Sequence, residues 1–238
     1  MVAWFNPQAR VQRREFAGGV ACLVVDDALR DPDALVELAV ANRDAFENAG
    51  YNAYPGLQWH APPELQRQVG EFFDAHARAA LGGRRTLKVH ARLAMTTLPP
   101  AGLEPRQVLC HRDSAWIAPE HRIMASVLYL FDDPALGGTG FYAPTRPAPE
   151  IDRLVHDSST LGFEAFAAKY GWPRAYMAEG NDWFARIGGV EAKRNRMIFY
   201  DGRVFHSADI ATPRALSDDP RTGRLTLNGF FTCSRRAG

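Results

Sequence analysis

Apolar residues recur along this chain with two different periods, and the change from one to the other divides it. Val20 to Val25 is a short apolar run that ends in Asp26-Asp27 and reads as a strand. Asp31-Pro32-Asp33 then opens a helix: a carboxylate at the cap, proline in the first turn, and apolar Leu35, Leu38, Ala39, Ala45 and Phe46 behind it. Pro62-Pro63-Glu64 opens a second helix, with Leu65, Val69, Phe72, Phe73 and His76 on one face and Gly82-Gly83 as its stop. From Leu87 the period falls to two. Val89 to Leu98 alternates, Pro99 to Gly102 makes a turn, and Gln107 to His111 reads as a short strand. Ile123 to Phe131 is an almost unbroken apolar run, rich in Ile, Val and Tyr, expected to be a strand buried on both faces. Thr139 to Tyr142, Met197 to Tyr200, Val204 to His206 and Leu225 to Thr232 complete the series. Two helices followed by about eight strands predict an α+β, mainly β chain with a sandwich or barrel core.

One stretch breaks the pattern. Ala143 to Asn195 is rich in Pro, Arg and aromatics, with a helix expected from Ser159 to Tyr170. It reads as an insertion at about 143–195 in a single domain spanning 1–238, too short and too polar to build a core of its own.

Composition narrows the function classes. Lys and Arg number 28 against 27 Asp and Glu, a net charge of +1, so no nucleic-acid or membrane partner is expected. Met1 to Gly19 has no apolar run long enough for a signal peptide, and Cys22, Cys110 and Cys233 form no C-x-x-C. A reducing cytoplasm is the expected setting.

The chemistry concentrates in His111-Arg112-Asp113. On an extended chain, side chains two apart share a face, so this H-x-D offers an imidazole and a carboxylate to one ion. His206, at the end of the aromatic extended segment Phe205-His206-Ser207, can supply a second imidazole from another strand. Two nitrogens and one carboxylate are the ligand set that leaves open positions on iron(II). With 7 His in 238 residues, chance alone yields about half an H-x-D per chain, so the motif depends on its surroundings.

Those surroundings are ordered. Tyr129-Leu130-Phe131-Asp132 runs into Gly137-Gly138-Thr139-Gly140-Phe141; Asn195 to Tyr200 precedes His206; and Gly223-Arg224-Leu225-Thr226-Leu227 follows it. In this order, from Val89 to Cys233 without the insertion, the chain resembles the iron(II)- and 2-oxoglutarate-dependent dioxygenases, most closely their prolyl 4-hydroxylase-like branch. The resemblance implies a double-stranded β-helix (jelly-roll, cupin-like) core flanked by the N-terminal helices. It implies Fe(II), 2-oxoglutarate and O2 as cofactors, with His111, Asp113 and His206 as iron ligands and catalytic centre. It implies Arg224 as partner of the distal carboxylate of 2-oxoglutarate, through a guanidinium fork, and Tyr129 as a further hydrogen bond to that co-substrate. The carboxylate of Asp113 argues for hydroxylation over halogenation, with desaturation and ring formation left open. The chain departs from the pattern in three places: Arg92 to Thr97 carries no tyrosine, Arg224 stands where the branch often has lysine, and the gap from Asp113 to His206 is long.

The expected substrate is an amino acid, a peptide-like molecule or another small carboxylate-bearing compound. Site-bordering loops carry specificity, so Arg146, Trp172 and Trp183 of the insertion are candidates to touch it, though Arg, Trp and Tyr are equally at home on a partner surface. Two other readings stay open at this point: a non-catalytic cupin-like metal-binding or interaction module, and a zinc-dependent hydrolase or isomerase on the same ligands.

Overall fold

The computed structural model describes residues 2–48, 50, 53–113, 118 and 120–235. The N-terminal half runs β1 (Val11–Phe16), β2 (Val20–Val25), α1 (Pro32–Ala41), β3 (Glu47–Asn48), β4 (Gly56–His60), α2 (Pro63–His76), β5 (Gly83–Thr96) and the single helical turn α3 (Pro105–Val108). The C-terminal half runs β6 (His121–Tyr129), β7 (Thr139–Pro144), α4 (Ala148–Thr160), α5 (Phe163–Tyr170), β8 (Phe184–Val190), β9 (Met197–Asp201), β10 (Phe205–Ala208) and β11 (Arg224–Arg235). Among these residues the strands form a large sheet in the order β1-β2-β9-β6-β11-β5-β4-β3 and a small one in the order β10-β7-β8. Every pairing is antiparallel. The chain is a mainly β jelly roll with α1 and α2 on one face of the large sheet; the hydrophobic pattern predicts the mainly β class, and the jelly roll is the form the resemblance implies. No helix among the described residues is long and apolar enough to cross a membrane.

Alternation along the strands builds the layers. On β11, Leu225, Leu227, Phe231 and Cys233 face the helices, where they meet Leu93 and Met95 of β5, Met124 and Leu128 of β6, and Phe199 of β9. Leu35, Val36 and Ala39 of α1 and Leu65, Val69, Phe72 and Phe73 of α2 close this core, with Phe73 stacked on Phe231 at 3.9 Å. The opposite face of the large sheet meets the small one through Val24, Ala125, Tyr129, Phe141 and Ile198. Both sheets are therefore pinned on one face, and Arg92 and Thr96 of β5 with Arg224, Asn228 and Phe230 of β11 line a cavity.

Helix α1 starts as its sequence predicts: the Asp31 carboxylate accepts from the N–H groups of Asp33 and Ala34, at 3.0 and 3.1 Å, and Pro32 occupies the first turn. The strand expected over Gln107 to His111 is instead the turn α3. Gln107 reaches back to accept from the Glu104 N–H at 2.8 Å, so Glu104-Pro105-Arg106-Gln107 acts as a capping box that holds a helical turn. The expected helix Ser159–Tyr170 is two helices, α4 and α5, broken at Leu161-Gly162.

The inserted stretch packs together with residues outside it. It contributes β8 to the small sheet, and Ile151, Leu154, Phe163, Phe166, Trp172 and Phe184 form an apolar cluster with Leu103, Val108, Leu109 and Cys110. The residues preceding the H-x-D supply the apolar area that the inserted segment lacks by itself, and the two make one core.

Asn195 ties the N-terminal layer to the β core. Its side chain accepts from the Leu29 N–H at 2.7 Å and donates to the Leu29 carbonyl at 3.0 Å, while its own N–H donates to the Tyr129 carbonyl. It sits at φ 63, a left-handed conformation that asparagine tolerates better than alanine does. Replacing Asn195 with alanine strands two buried backbone groups and adds strain, an expected loss of about 3 kcal/mol. Asn195→Gly, which removes the strain alone, should lose roughly 1 kcal/mol less. Chemical denaturation of the wild type and both variants measures the order; equal losses would show that backbone strain contributes nothing here.

Candidate metal centre

The centre begins with a backbone pair. The His111 N–H donates to the His206 carbonyl and the His206 N–H donates to the His111 carbonyl, both at 2.9 Å, an isolated antiparallel bridge at the edge of β10. Residues directly opposite in such a pair project on the same face, and the two imidazole rings lie 4.4 Å apart. The intervening positions project the other way: the Arg112 guanidinium lies over the Phe205 ring at 4.6 Å. Asp113 returns to the imidazole side. Its N–H donates to the Gly202 carbonyl at 2.8 Å. A side chain on Gly202 would begin 3.1 Å from the Asp113 Cβ and 2.9 Å from Ile123, so glycine at the Asp201-Gly202 turn keeps this approach open.

The three side chains converge. Asp113 Oδ1 stands 3.7 Å from His111 Nε2, and Oδ2 stands 3.5 Å from His206 Nε2. One ligand atom from each of the three lies within 4.8 Å of the others. His206 Nδ1 donates to the Val204 carbonyl at 2.9 Å, which leaves the Nε2 lone pair facing Asp113. Asp113 Oδ2 is buried with no hydrogen-bond partner among the described residues. An unpartnered carboxylate oxygen between two imidazole lone pairs is what a cation would satisfy, so these residues fit a divalent metal.

Electrostatics agree. Burial pushes the His206 imidazole down to about 4. His111 shifts in the same direction through desolvation by the surrounding protein and then the neighbouring His206, opposed by Asp113, although about half of its side chain faces solvent. Burial also raises the Asp113 carboxyl, opposed by His111 and Arg92. Neutral imidazoles are the form that binds metal.

A cavity of about 210 Å³ opens in front of the trio. Arg224 lines it, only 4% exposed. Its Nε donates to the Leu136 carbonyl at 2.9 Å and its Nη2 to the Gly138 carbonyl at 2.8 Å, so the guanidinium is locked to the Gly137-Gly138 turn. That turn admits no side chain: a Cβ on Gly137 would fall 1.8 Å from the Asp209 carbonyl oxygen, and Gly137 has φ 72. Across the sheet Arg224 pairs in register with Thr96, whose hydroxyl shares a 3.1 Å hydrogen bond with the Tyr54 phenol.

Tyr54 lines the cavity, and sequence reasoning passed over it. It lies just before β4, beside the Pro55-Gly56 turn, where no strand period flags it. Tyr129, the tyrosine singled out from the sequence, does not line the cavity. It is fully buried between the sheets, its hydroxyl 2.7 Å from the Thr139 hydroxyl and its ring edge-on to Phe131. Thr139 stands at the cavity wall in its place.

The substrate candidates from the insertion lie elsewhere too. Trp172 packs beside Phe166 and Phe184 in the third core. Arg146 lies over the Trp183 ring at 5.6 Å and donates to the Asp182 carbonyl on the outer surface. Neither these residues nor Trp183 lines the cavity; from the insertion, Tyr176 does, its hydroxyl donating to the Leu98 carbonyl at 2.7 Å.

The shifts of the two imidazoles carry a stability signature. Their folded values near 4 lie below the ordinary 6.5, so the unfolded chain binds these protons more tightly. The stability they provide is complete above about 6.5 and is lost as pH falls through about 4. Asp113, shifted upward, runs against them in the same range. In chelator-treated protein, Tm is expected to fall more steeply from pH 7 to pH 4.5 in the wild type than in the His111→Gln/His206→Gln double variant. Parallel profiles would contradict neutral imidazoles at this site.

No curated protein matches the chain. Solved structures do. The non-heme α-ketoglutarate-dependent carbocyclase SnoK from nogalamycin biosynthesis aligns with a TM-score of 0.51 and 16% identity, over 89% of this chain and 79% of that one. HygX from Streptomyces hygroscopicus, crystallised with nickel and 2-oxoglutarate, gives 0.45 and 10% over 91% and 83%. A Pseudomonas putida prolyl-4-hydroxylase gives 0.43 and 16% over 87% and 89%. At these identities the likeness to SnoK establishes a shared fold. A family model covers residues 7–231, and the chain accordingly belongs to the family of unknown function DUF6445.

Proposed function

We propose that this protein is an Fe(II)- and 2-oxoglutarate-dependent oxygenase. It hydroxylates a C–H bond of an amino-acid, peptide-like or other small carboxylate-bearing substrate and releases succinate and CO2. The observation that carries the proposal is the placement of His111, Asp113, His206 and Arg224 on the walls of one cavity. The fold shared with SnoK, an α-ketoglutarate-dependent enzyme, supports it.

Bound by the trio, iron(II) would supply the redox chemistry, in which one atom of O2 enters succinate as the C1–C2 bond of 2-oxoglutarate breaks and the other enters the substrate C–H bond. The protein's own part is positioning. His111 and His206 present neutral nitrogens and Asp113 a carboxylate oxygen, leaving the cavity side of the ion for ligands. Arg224 and the Tyr54 hydroxyl would hold the far carboxylate of 2-oxoglutarate, at the end where Thr96 and Arg224 pair. Because two backbone carbonyls already fix the Arg224 guanidinium, little ordering remains to be done when the anion arrives.

Purified protein supplied with Fe(II), 2-oxoglutarate and air should form succinate slowly even without substrate, and His206→Ala should abolish it. Arg224→Lys, which keeps the charge and loses the fork, is expected to raise the KM for 2-oxoglutarate by about tenfold or more, with a smaller change in kcat. Absence of succinate from the wild type would overturn the oxygenase proposal and favour a zinc hydrolase on the same trio. An unchanged KM in the Arg224 variant would remove Arg224 from the co-substrate site.

A further inference from the structure

The cavity has a second cationic wall. Arg92 sits on β5 four residues before Thr96, and both belong to the face of the large sheet that lines the cavity. At roughly 3.3 Å per residue this sets the two positions about 13 Å apart. Arg224 stands opposite Thr96 at one end, and Arg92 stands opposite Asn228 on β11 and opposite His60 on β4 at the other. The Arg92 guanidinium is held in place: its Nη1 donates to Gln58 Oε1 at 2.9 Å, and it lies 4.6 Å from the centre of the Phe230 ring. It lines the same cavity as the metal trio. The cavity therefore offers Arg224 at one end, Arg92 at the other, and Arg106 and the trio elsewhere on its walls.

One arginine is accounted for by the co-substrate. We propose that Arg92 anchors the substrate, and that the substrate is a small free carboxylic acid whose carboxylate docks there with its reacting carbon turned toward His111, Asp113 and His206. This rests on the oxygenase proposal above. Two physical points select a carboxylate. The guanidinium fork matches a carboxylate in two parallel hydrogen bonds. Its neighbours on the sheet are the Phe230 ring, the Gln58 and Asn228 amides and the His60 imidazole, with neither a lysine nor a second arginine paired opposite it, whereas a phosphate dianion calls for several cations or a helix N-terminus with its N–H groups. Size points the same way. A cavity of about 210 Å³ must hold the co-substrate as well, which leaves room for a compact acid.

The test uses a panel of small monocarboxylic acids and free α-amino acids, each matched with its primary amide, together with small phosphate monoesters. Binding to metal-free protein is read by saturation-transfer NMR and thermal shift, and acceleration of succinate formation is read on the iron-loaded enzyme. Acids are expected to bind at least tenfold more tightly than their amides. Arg92→Gln should erase that preference, and Arg92→Lys should restore part of it. Equal binding of acids and amides, a preference that survives Arg92→Gln, tighter binding of phosphate monoesters, or no binding by any acid would each overturn the inference. Failure of the wild type to form succinate while acids still bind through Arg92 would sink the oxygenase proposal alone.

Discussion

Two hydrogen bonds between the main chains of His111 and His206 set the geometry on which the site depends. They make the two residues direct partners, so their imidazoles share a face. The alternation of an extended chain then sends Arg112 to the far side, over Phe205, and brings Asp113 back between the imidazoles. The consequence is a carboxylate oxygen with no hydrogen-bond donor among the described residues, faced by two imidazoles whose proton affinity the protein environment lowers. A buried, unsatisfied carboxylate costs several kcal/mol. A divalent ion would remove that cost, with little further ordering needed, because His206 is already oriented by Val204 and Asp113 by Gly202.

The rest of the chain makes this corner rigid. The large sheet gives one face to the helices, where Phe73 and Phe231 stack, and the other to the small sheet and the cavity. β11 serves both faces through its alternation: Leu225, Leu227 and Phe231 lie in the core, and Arg224, Asn228 and Phe230 line the cavity. The inserted segment steadies the approach to His111 from the outside, since its aromatics pack on Leu103, Val108, Leu109 and Cys110. Arg92 and Arg224 of the sheet and Tyr176 of the insertion face one chamber.

What the sequence disclosed follows from how local each signal is. The cap at Asp31, the apolar run over Ile123 to Phe131 and the alternation of β5 and β11 are set by neighbours a few residues away, and they appear in the fold. The order H-x-D, Gly-Gly, His206, Gly223-Arg224 could be read because each piece sits on or beside a strand whose place the jelly roll fixes. Tyr54 and Arg92 were hidden because their places at the cavity come from long-range contacts: one from a side-chain hydrogen bond to Thr96, the other from standing opposite Asn228. Tyr129 was misleading for the same reason, since only its pairing shows that it faces the inter-sheet core. The strand expected before His111 gave way to a capping box, a local signal that competes with β pattern over four residues.

The central claim is that the trio and Arg224 together bind iron(II) and 2-oxoglutarate in one chamber. Anaerobic titration followed by visible absorption tests it most directly. The account predicts one equivalent of iron(II) and a visible band that grows only when 2-oxoglutarate is added, and that is lost in Asp113→Ala. Iron binding with no band on addition of 2-oxoglutarate, or a band that persists without Asp113, would contradict it.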